Sequence, residues 1–237
     1  MKVIPDKSVD MILCDLPYGA TASSWDVQIP IDKLWVEYKR IIKDAGVIVL
    51  TATQPFTSLL VASNLKWFKY EWIWDKVLPS GFQIAKHRPM MRHESVLVFS
   101  KGKPKYNPIM TPQKPRTGKI YGKSESSPLK YDNGLLKKYD EKNPQSIIQF
   151  YKRDKVSYHP TQKPLALFEY LIKTYTDEGD LVLDNAAGSG TTAIACMKTK
   201  RNYIVMEKEQ KYFDVINERV KVMSTVLDDN MCGGNRG

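Results

Sequence analysis

An acid, a proline and an aromatic ring stand together where a short apolar run stops: Asp15-Leu16-Pro17-Tyr18 follows directly on Val9 to Cys14. A carboxylate accepts a hydrogen bond from an exocyclic amine, and a phenol ring stacks on a flat heterocycle. Pro17 fixes the backbone between them. The combination suits a flat, weakly basic heterocycle. A second cluster, Gly188-Ser189-Gly190, follows the apolar run Leu181-Val182-Leu183 and its terminal Asp184. A helical stretch, the run Tyr203 to Met206 and then Glu207 come after it. Glycines there let the backbone approach a ligand, and an acid at the second strand end can bond two ribose hydroxyls. This is the pattern of a nucleoside-binding βαβ unit. Gly188-x-Gly190-x-x-Ala193 also satisfies the dinucleotide fingerprint, so the glycines alone leave a nicotinamide dehydrogenase open. Asp184 argues against it, because a carboxylate at that strand end repels a pyrophosphate and attracts a positively charged amino group.

The elements that must position these residues alternate between strand and helix. Val9 to Cys14 has the length of a buried strand. Leu34, Trp35, Tyr38, Ile41 and Ile42 recur at helical spacing, and Gly46 is placed to end that helix. Val47 to Leu50 reads as a buried strand, and Pro55 opens a helix through about Asn64. Tyr70 to Trp74 and Glu94 to Ser100 read as strands, with Leu78 to His93 as a long polar loop between them. A loop of that length is expected to be a lid near the site that touches nucleic acid. Helices follow at Leu165 to Thr176, Thr192 to Lys198 and Lys208 to Val226, and Asp228 to Gly237 is expected to be a disordered tail.

Charge is concentrated. The 237-residue chain carries a formal net charge of +10, which points to a polyanionic partner. Lys101 to Ser157 holds fourteen Lys or Arg against five Asp or Glu, with six prolines and five tyrosines. Basic residues interleaved with aromatic rings suit phosphates and exposed bases. No apolar run approaches the ~20 residues of a membrane span, and there is no signal-peptide pattern. Three scattered cysteines (Cys14, Cys196, Cys232) make neither a disulfide framework nor a metal site, so a cytoplasmic protein is expected. His159 has no Cys or His partner at ligand spacing, and no metal is expected.

Asp15-Leu16-Pro17-Tyr18 resembles the Asp-Pro-Pro-Tyr motif of the S-adenosylmethionine-dependent DNA amino-methyltransferases, with Leu16 as a departure. Asp184 to Thr192 resembles their Asp-Pro-Phe-x-Gly-Ser-Gly-Thr-Thr motif, with Asn185 and Ala186 as departures. His159-Pro160-Thr161-Gln162-Lys163-Pro164 is similar to the block that closes over the methionine end of the cofactor. The order of these blocks, with the basic segment between the first and the third, is that of the β class of the family. The likeness covers about residues 3–100 and 158–220.

What the resemblance implies is specific. The fold is α/β, a Rossmann-like methyltransferase sheet in permuted β-class order. Residues 1–100 form the catalytic half, 101–157 an inserted basic target-recognition segment, 158–227 the cofactor half and 228–237 the tail. The family also places a strand and a helix ahead of Pro5-Asp6, so the sequence is expected to start inside that helix. Asp15, Leu16, Pro17 and Tyr18 are the implied catalytic residues. Asp15, His159, Thr161, Lys163, Asp184, Ala186, Gly188, Gly190, Thr191 and Glu207 are implied to hold S-adenosylmethionine. Contacts to double-stranded DNA are expected from Lys86, Arg88, Arg92, Lys101, Lys103, Lys105, Lys114 and Arg116. Asp at the first motif position goes mainly with N6 of adenine, so that amine is the expected target. N4 of cytosine is the alternative, and a DNA-binding module without catalysis is a third reading. The oligomeric state is open, with a homodimer among the expected forms.

Overall fold

The computed structural model describes residues 1–17, 29–121, 131–151, 154, 156–159 and 161–232. Chain order is β1 (Val9–Cys14), α1 (Ile31–Ile41), β2 (Ile42–Ala52), α2 (Phe56–Ser63), β3 (Phe68–Ser80), β4 (Met91–Phe99), β5 (Thr111–Tyr121) and β6 (Tyr131–Lys142). β7 (Ile147–Gln149), α3 (Leu165–Tyr175), β8 (Leu181–Asp184), α4 (Thr191–Thr199), β9 (Asn202–Val205) and α5 (Gln210–Cys232) complete it. The chain divides into two compact units, one of residues 1–107 with 146–237 and one of Pro108–Gln145.

The larger unit is built on a seven-stranded sheet in the order β7-β3-β4-β2-β1-β8-β9. β1 pairs in parallel with both β2 and β8, and β8 with β9. β4 runs antiparallel between β2 and β3. Alternation along each strand feeds two cores. Ile12, Cys14, Ile48 and Leu50 face α1 and α2 through Leu34, Trp35, Tyr38, Ile41, Phe56 and Leu60. Met11, Leu13, Val47 and Val49 face α3 and α4 through Leu167, Phe168, Leu171, Ile172, Ala195 and Cys196. Helices on both faces of a largely parallel sheet make the expected Rossmann-like α/β layering. β1 is the switch point, with β2 on one side and β8 on the other. Open α/β sheets bind ligands beyond the carboxyl ends at such a point.

Several boundaries differ from the sequence reading. α1 stops at Ile41, and Ile42 is already extended and paired with Val9. Gly46 is therefore a strand residue and not a helix end. A Cβ there would sit 2.7 Å from the Ile42 side chain and 2.9 Å from the Asp10 carbonyl, so glycine permits a close crossing. The long loop Leu78–His93 is mostly hairpin: β3 extends to Ser80, β4 starts at Met91, and one 3-10 turn (Phe82–Ile84) lies between.

Residues Ile147–Gln149, expected in the insertion, add an edge strand to the main sheet beside Ile73 to Asp75. The separate unit is the narrower Pro108–Gln145, an antiparallel pair of β5 and β6. α5 continues to Cys232, so the expected tail begins inside a helix. Residues 233–237, Tyr18 and most of the loop from Ala20 to Pro30 lie outside the described residues.

Candidate active site

β1 ends at Cys14 and delivers Asp15-Leu16-Pro17 to the carboxyl edge of the sheet. Its parallel neighbour β8 ends there too, at Asp184, and delivers the turn Asn185 to Gly190. Both segments line one cavity of about 730 Å³, within the ~300–1,000 Å³ usual for small-molecule sites. His159, Thr161, Lys163, Ala186, Gly188, Thr191 and Glu207 line it as well. Of the expected catalytic and cofactor residues, Gly190 borders the cavity only through its neighbours, and Tyr18 is not described.

The Asp15 carboxylate is held from two sides. Thr51 Oγ1, from β2, donates to Oδ1, and Lys163 Nζ donates to Oδ2 at 2.6 Å. Lys163 also lies 3.4 Å from Glu94 Oε2, and Lys76 lies 3.2 Å from Glu94 Oε1. Burial alone would lower the Lys163 pKa, but the carboxylates of Asp15 and Glu94 outweigh it and hold it above its ordinary value. Lys163 is therefore a charged ammonium throughout the working range. Two buried lysines and two carboxylates alternate in a chain that ends on Asp15.

The glycine turn is fixed by its own acids. Glu207 Oε2 accepts from the Gly188 amide at 2.8 Å, and Oε1 accepts from the Glu209 amide at 2.9 Å. Asp184 accepts from the Ala186 amide at 3.0 Å and from the Thr192 hydroxyl at 2.5 Å. Burial pushes the Asp184 carboxyl up to about 6, against these hydrogen bonds, which lower it. Tyr38 donates to Asn185 Oδ1 at 2.5 Å, which ties the turn to α1. Gly190 has φ +80, and a Cβ there would meet Ile216 Cγ1 at 2.8 Å. Gly188 has φ +53, and its missing Cβ would lie 3.9 Å from the His159 ring. The His159 Nδ1 accepts from the Thr161 amide at 3.2 Å, and its ring packs edge-on against Tyr212 at 4.2 Å. Burial lowers its pKa, so the ring is neutral.

These features fit S-adenosylmethionine. An amide-anchored carboxylate at the end of β9 can take a ribose diol. Glycine backbone with no Cβ lines the approach, and Glu207 and Asp15 border the same cavity. Among the described residues no three His, Cys, Asp or Glu side chains gather as metal ligands do. No described helix is long and apolar enough to cross a membrane.

The residues expected on DNA fall in three places. Lys86 and Arg88 are exposed on the hairpin between β3 and β4, at the cavity end of the sheet. Arg92 is also there, but its guanidinium forks onto Asp75 at 2.8 and 2.9 Å. Lys114 and Arg116 are exposed on β5, in the second unit. Lys101 and Lys105 lie elsewhere. β4 runs antiparallel to β2, so its end carries them to the opposite edge of the sheet from the cavity. Lys101 pairs there with Asp44 at 3.0 Å, and Lys105 with Asp177 at 2.5 Å and Asp180 at 2.8 Å. The exposed Lys103 lies between them in the chain.

Several site residues escaped the sequence reading. Thr51 is a lone polar position at the end of an apolar run in β2, whereas Glu94 and Lys76 stand beside other polar residues on β4 and β3, so nothing in the local pattern singles them out. Asp154 sits in the basic segment, yet it lines the cavity and accepts from Gln162 Nε2 at 3.0 Å and from the Leu165 amide at the start of α3.

A family model described as DNA methylase, for N6 and N4 enzymes, matches residues 9–218. DNA adenine methyltransferase YhdJ of Escherichia coli (strain K12) is 30% identical over 243 residues, covering 94% of this chain and 80% of its own length. Type II methyltransferase M.HpaI of Haemophilus parainfluenzae is 27% identical, covering 93% of this chain and 70% of its own. The solved M1.HpyAVI-SAM complex aligns with a TM-score of 0.61 at 25% identity, over 90% of this chain and 89% of that one. PvuII DNA methyltransferase, cytosine-N4-specific, aligns at 0.64 over 96% of this chain and 87% of that one. At 16% identity that likeness concerns the fold alone. With a family match over most of its length and a cavity that joins the two motif-bearing strand ends, the chain belongs to the DNA methylase family, the S-adenosylmethionine-dependent amino-methyltransferases of DNA.

Proposed function

We propose that this DNA methyltransferase acts on the exocyclic N6 of adenine, extruded from double-stranded DNA into the cavity beside Asp15. S-adenosylmethionine is the methyl donor; when bound, it supplies an electrophilic methyl group on a sulfonium. The observation that carries the reading is the clamped Asp15 carboxylate, 2.6 Å from the Lys163 ammonium, in the same cavity as the glycine turn.

The chemical problem is the amine. Its lone pair is delocalised into the ring, which makes it a poor nucleophile. Asp15 accepts one N–H, since a carboxylate oxygen takes more than one hydrogen bond. The main-chain carbonyl of Leu16 accepts the other, which is why leucine can stand where the family has proline. Two acceptors turn the lone pair out of conjugation and toward the methyl group. Tyr18 stacks on the base, which must leave the duplex to be reached. Glu207 would hold the donor's ribose and Asp184 its amino group, with His159, Thr161, Ala186, Gly188 and Thr191 lining the pocket and Gly190 shaping the turn behind it. Positioning and electrostatics supply the acceleration. No covalent enzyme intermediate is needed. Cys14, the nearest thiol in sequence, is fully buried, and burial pushes its pKa well up.

Adenine is favoured by the acid at the first motif position and by the adenine activity in the name of the Escherichia coli relative. Asp15→Ala tests the reading. Methyl transfer to DNA is expected to fall by about 10²–10³-fold or more, with S-adenosylmethionine affinity by calorimetry within about threefold of wild type, a difference under 1 kcal/mol. Transfer at the wild-type rate would remove Asp15 from the mechanism.

A further inference from the structure

The hairpin of β3 and β4 runs on past Trp74 and Glu94, register partners that both line the cavity. Its tip, residues 77–90, is apolar where it meets solvent: Leu78 is 62% exposed, Phe82 78% and Ile84 37%. Single exposed apolar residues are ordinary, but three around one turn are not. The tip itself carries one sign of charge, from Lys86 and Arg88, while Arg92 and the buried Lys76 below it are paired with Asp75 and Glu94. From Lys76 to His93 the chain has no acid and four Lys or Arg, namely Lys76, Lys86, Arg88 and Arg92.

The stem beneath the tip is braced. Asp75 accepts the Arg92 fork, the Gln149 side-chain amide at 2.9 Å and the Val77 amide at 2.8 Å. Val77 is held at φ +64 and Gly81 at φ +92. A left-handed β-branched residue is strained, and such strain persists only where its surroundings enforce it. Here the Asp75 bond to the Val77 amide does so. The tip is thus a shaped apolar turn presented on a fixed base.

We propose that this tip is a DNA wedge. Phe82 enters the base stack next to the extruded base, Leu78 and Ile84 back it, and Lys86 and Arg88 meet the flanking phosphates. The inference rests on the base-extrusion step of the proposed function. Apolar side chains pushed between base steps unstack them and hold a deformed duplex, while basic neighbours offset the backbone charge. The tip has both features, at the end of the sheet where the target base must arrive. A second copy of this chain, itself at +10, would meet like charge there.

The test uses Phe82→Ala and Phe82→Leu in the full chain, both checked for an unchanged melting temperature. The target is first located by sequencing DNA that the wild type has methylated. Transfer is then compared on a paired duplex and on the same duplex with a mismatch opposite the target, which is extruded cheaply. Phe82→Ala is expected to lose about tenfold or more in kcat/KM on the paired duplex, and to stay near wild type on the mismatched one. Phe82→Leu should restore most of the loss. Equal losses on both duplexes, no loss on either, or a change of oligomeric state in Phe82→Ala would overturn the wedge. A wild type that transfers to no DNA would instead sink the parent reading. The wedge would then be judged by anisotropy, and unchanged binding of Phe82→Ala to a mixed-sequence duplex would end it.

Discussion

Asp184 can be neutralised almost without changing its shape, and the structure states what that should do. The side chain is 3% exposed, and its carboxyl is pushed from an ordinary 3.8 up to about 6. Two pKa units correspond to about 3 kcal/mol by which burial disfavours the ionised form in the folded state. The sign follows from linkage. Between pH ~4 and ~6 the folded chain keeps this proton and the unfolded chain has lost it, so stability falls as pH rises through that window. Above it both states are ionised, and the folded state carries the full penalty.

In Asp184→Asn the amide oxygen still accepts from the Ala186 amide, and the new NH₂ donates to the Thr192 hydroxyl. The variant is therefore expected to be more stable at pH 7 by up to about 3 kcal/mol, or roughly 6–12 °C in Tm for a chain of this size. That advantage should shrink toward zero near pH 4. Urea unfolding of both proteins from pH 4 to 8 reads it directly. A variant that is less stable at pH 7, or a difference that ignores pH, would refute the reasoning. The same variant should bind S-adenosylmethionine about tenfold more weakly, as loss of a charge-assisted hydrogen bond implies.

Lys163→Met leaves the Asp15 and Glu94 carboxylates without the ammonium between them. Removing one partner of a buried pair costs about 3–5 kcal/mol, and the low end is expected because Lys76 still faces Glu94 at 3.2 Å; thermal melting measures it, and an unchanged Tm would deny the network. The contribution of Lys163 itself is constant through neutral pH, because its folded pKa is raised, and it fades only as pH climbs past ~10.4. Gly190→Ala forces a side chain onto φ +80 and within 2.8 Å of Ile216. It should destabilise by more than about 1 kcal/mol, and adding Ile216→Ala should recover only the steric part.

Much of this arrangement was legible in the chain. The strand Val9–Cys14 and the acid at its end were legible because an apolar run broken only by Asp10 stops at Asp15, just ahead of Pro17, and position relative to a strand end is what function needs. The glycine turn was legible for the same reason, with Asp184 ending one strand and Glu207 following two residues after the end of its parallel neighbour. Gly46 misled because a glycine after a helical pattern looks like an end, whereas here it answers to the Asp10 carbonyl of a neighbouring strand, a contact no local pattern contains. The loop from Leu78 to His93 was misread because its polar residues hide a hairpin that pairs through the backbone.

Lys101 and Lys105 were grouped with DNA contacts by composition. Strand direction, which sends them to the far edge of the sheet, is a property of topology and not of charge. The chain Lys76–Glu94–Lys163–Asp15 was invisible for a similar reason, since its members come from four separated segments. Asp154 was masked by the basic residues around it.

The most direct test of the central claim is transfer of labelled methyl from S-adenosylmethionine to unmethylated DNA, followed by digestion and nucleoside analysis. Label is expected in N6-methyladenine, at a level that Asp15→Ala lowers by about 10²–10³-fold or more. Label in N4-methylcytosine would keep the family and the cavity while contradicting the assignment of adenine to Asp15.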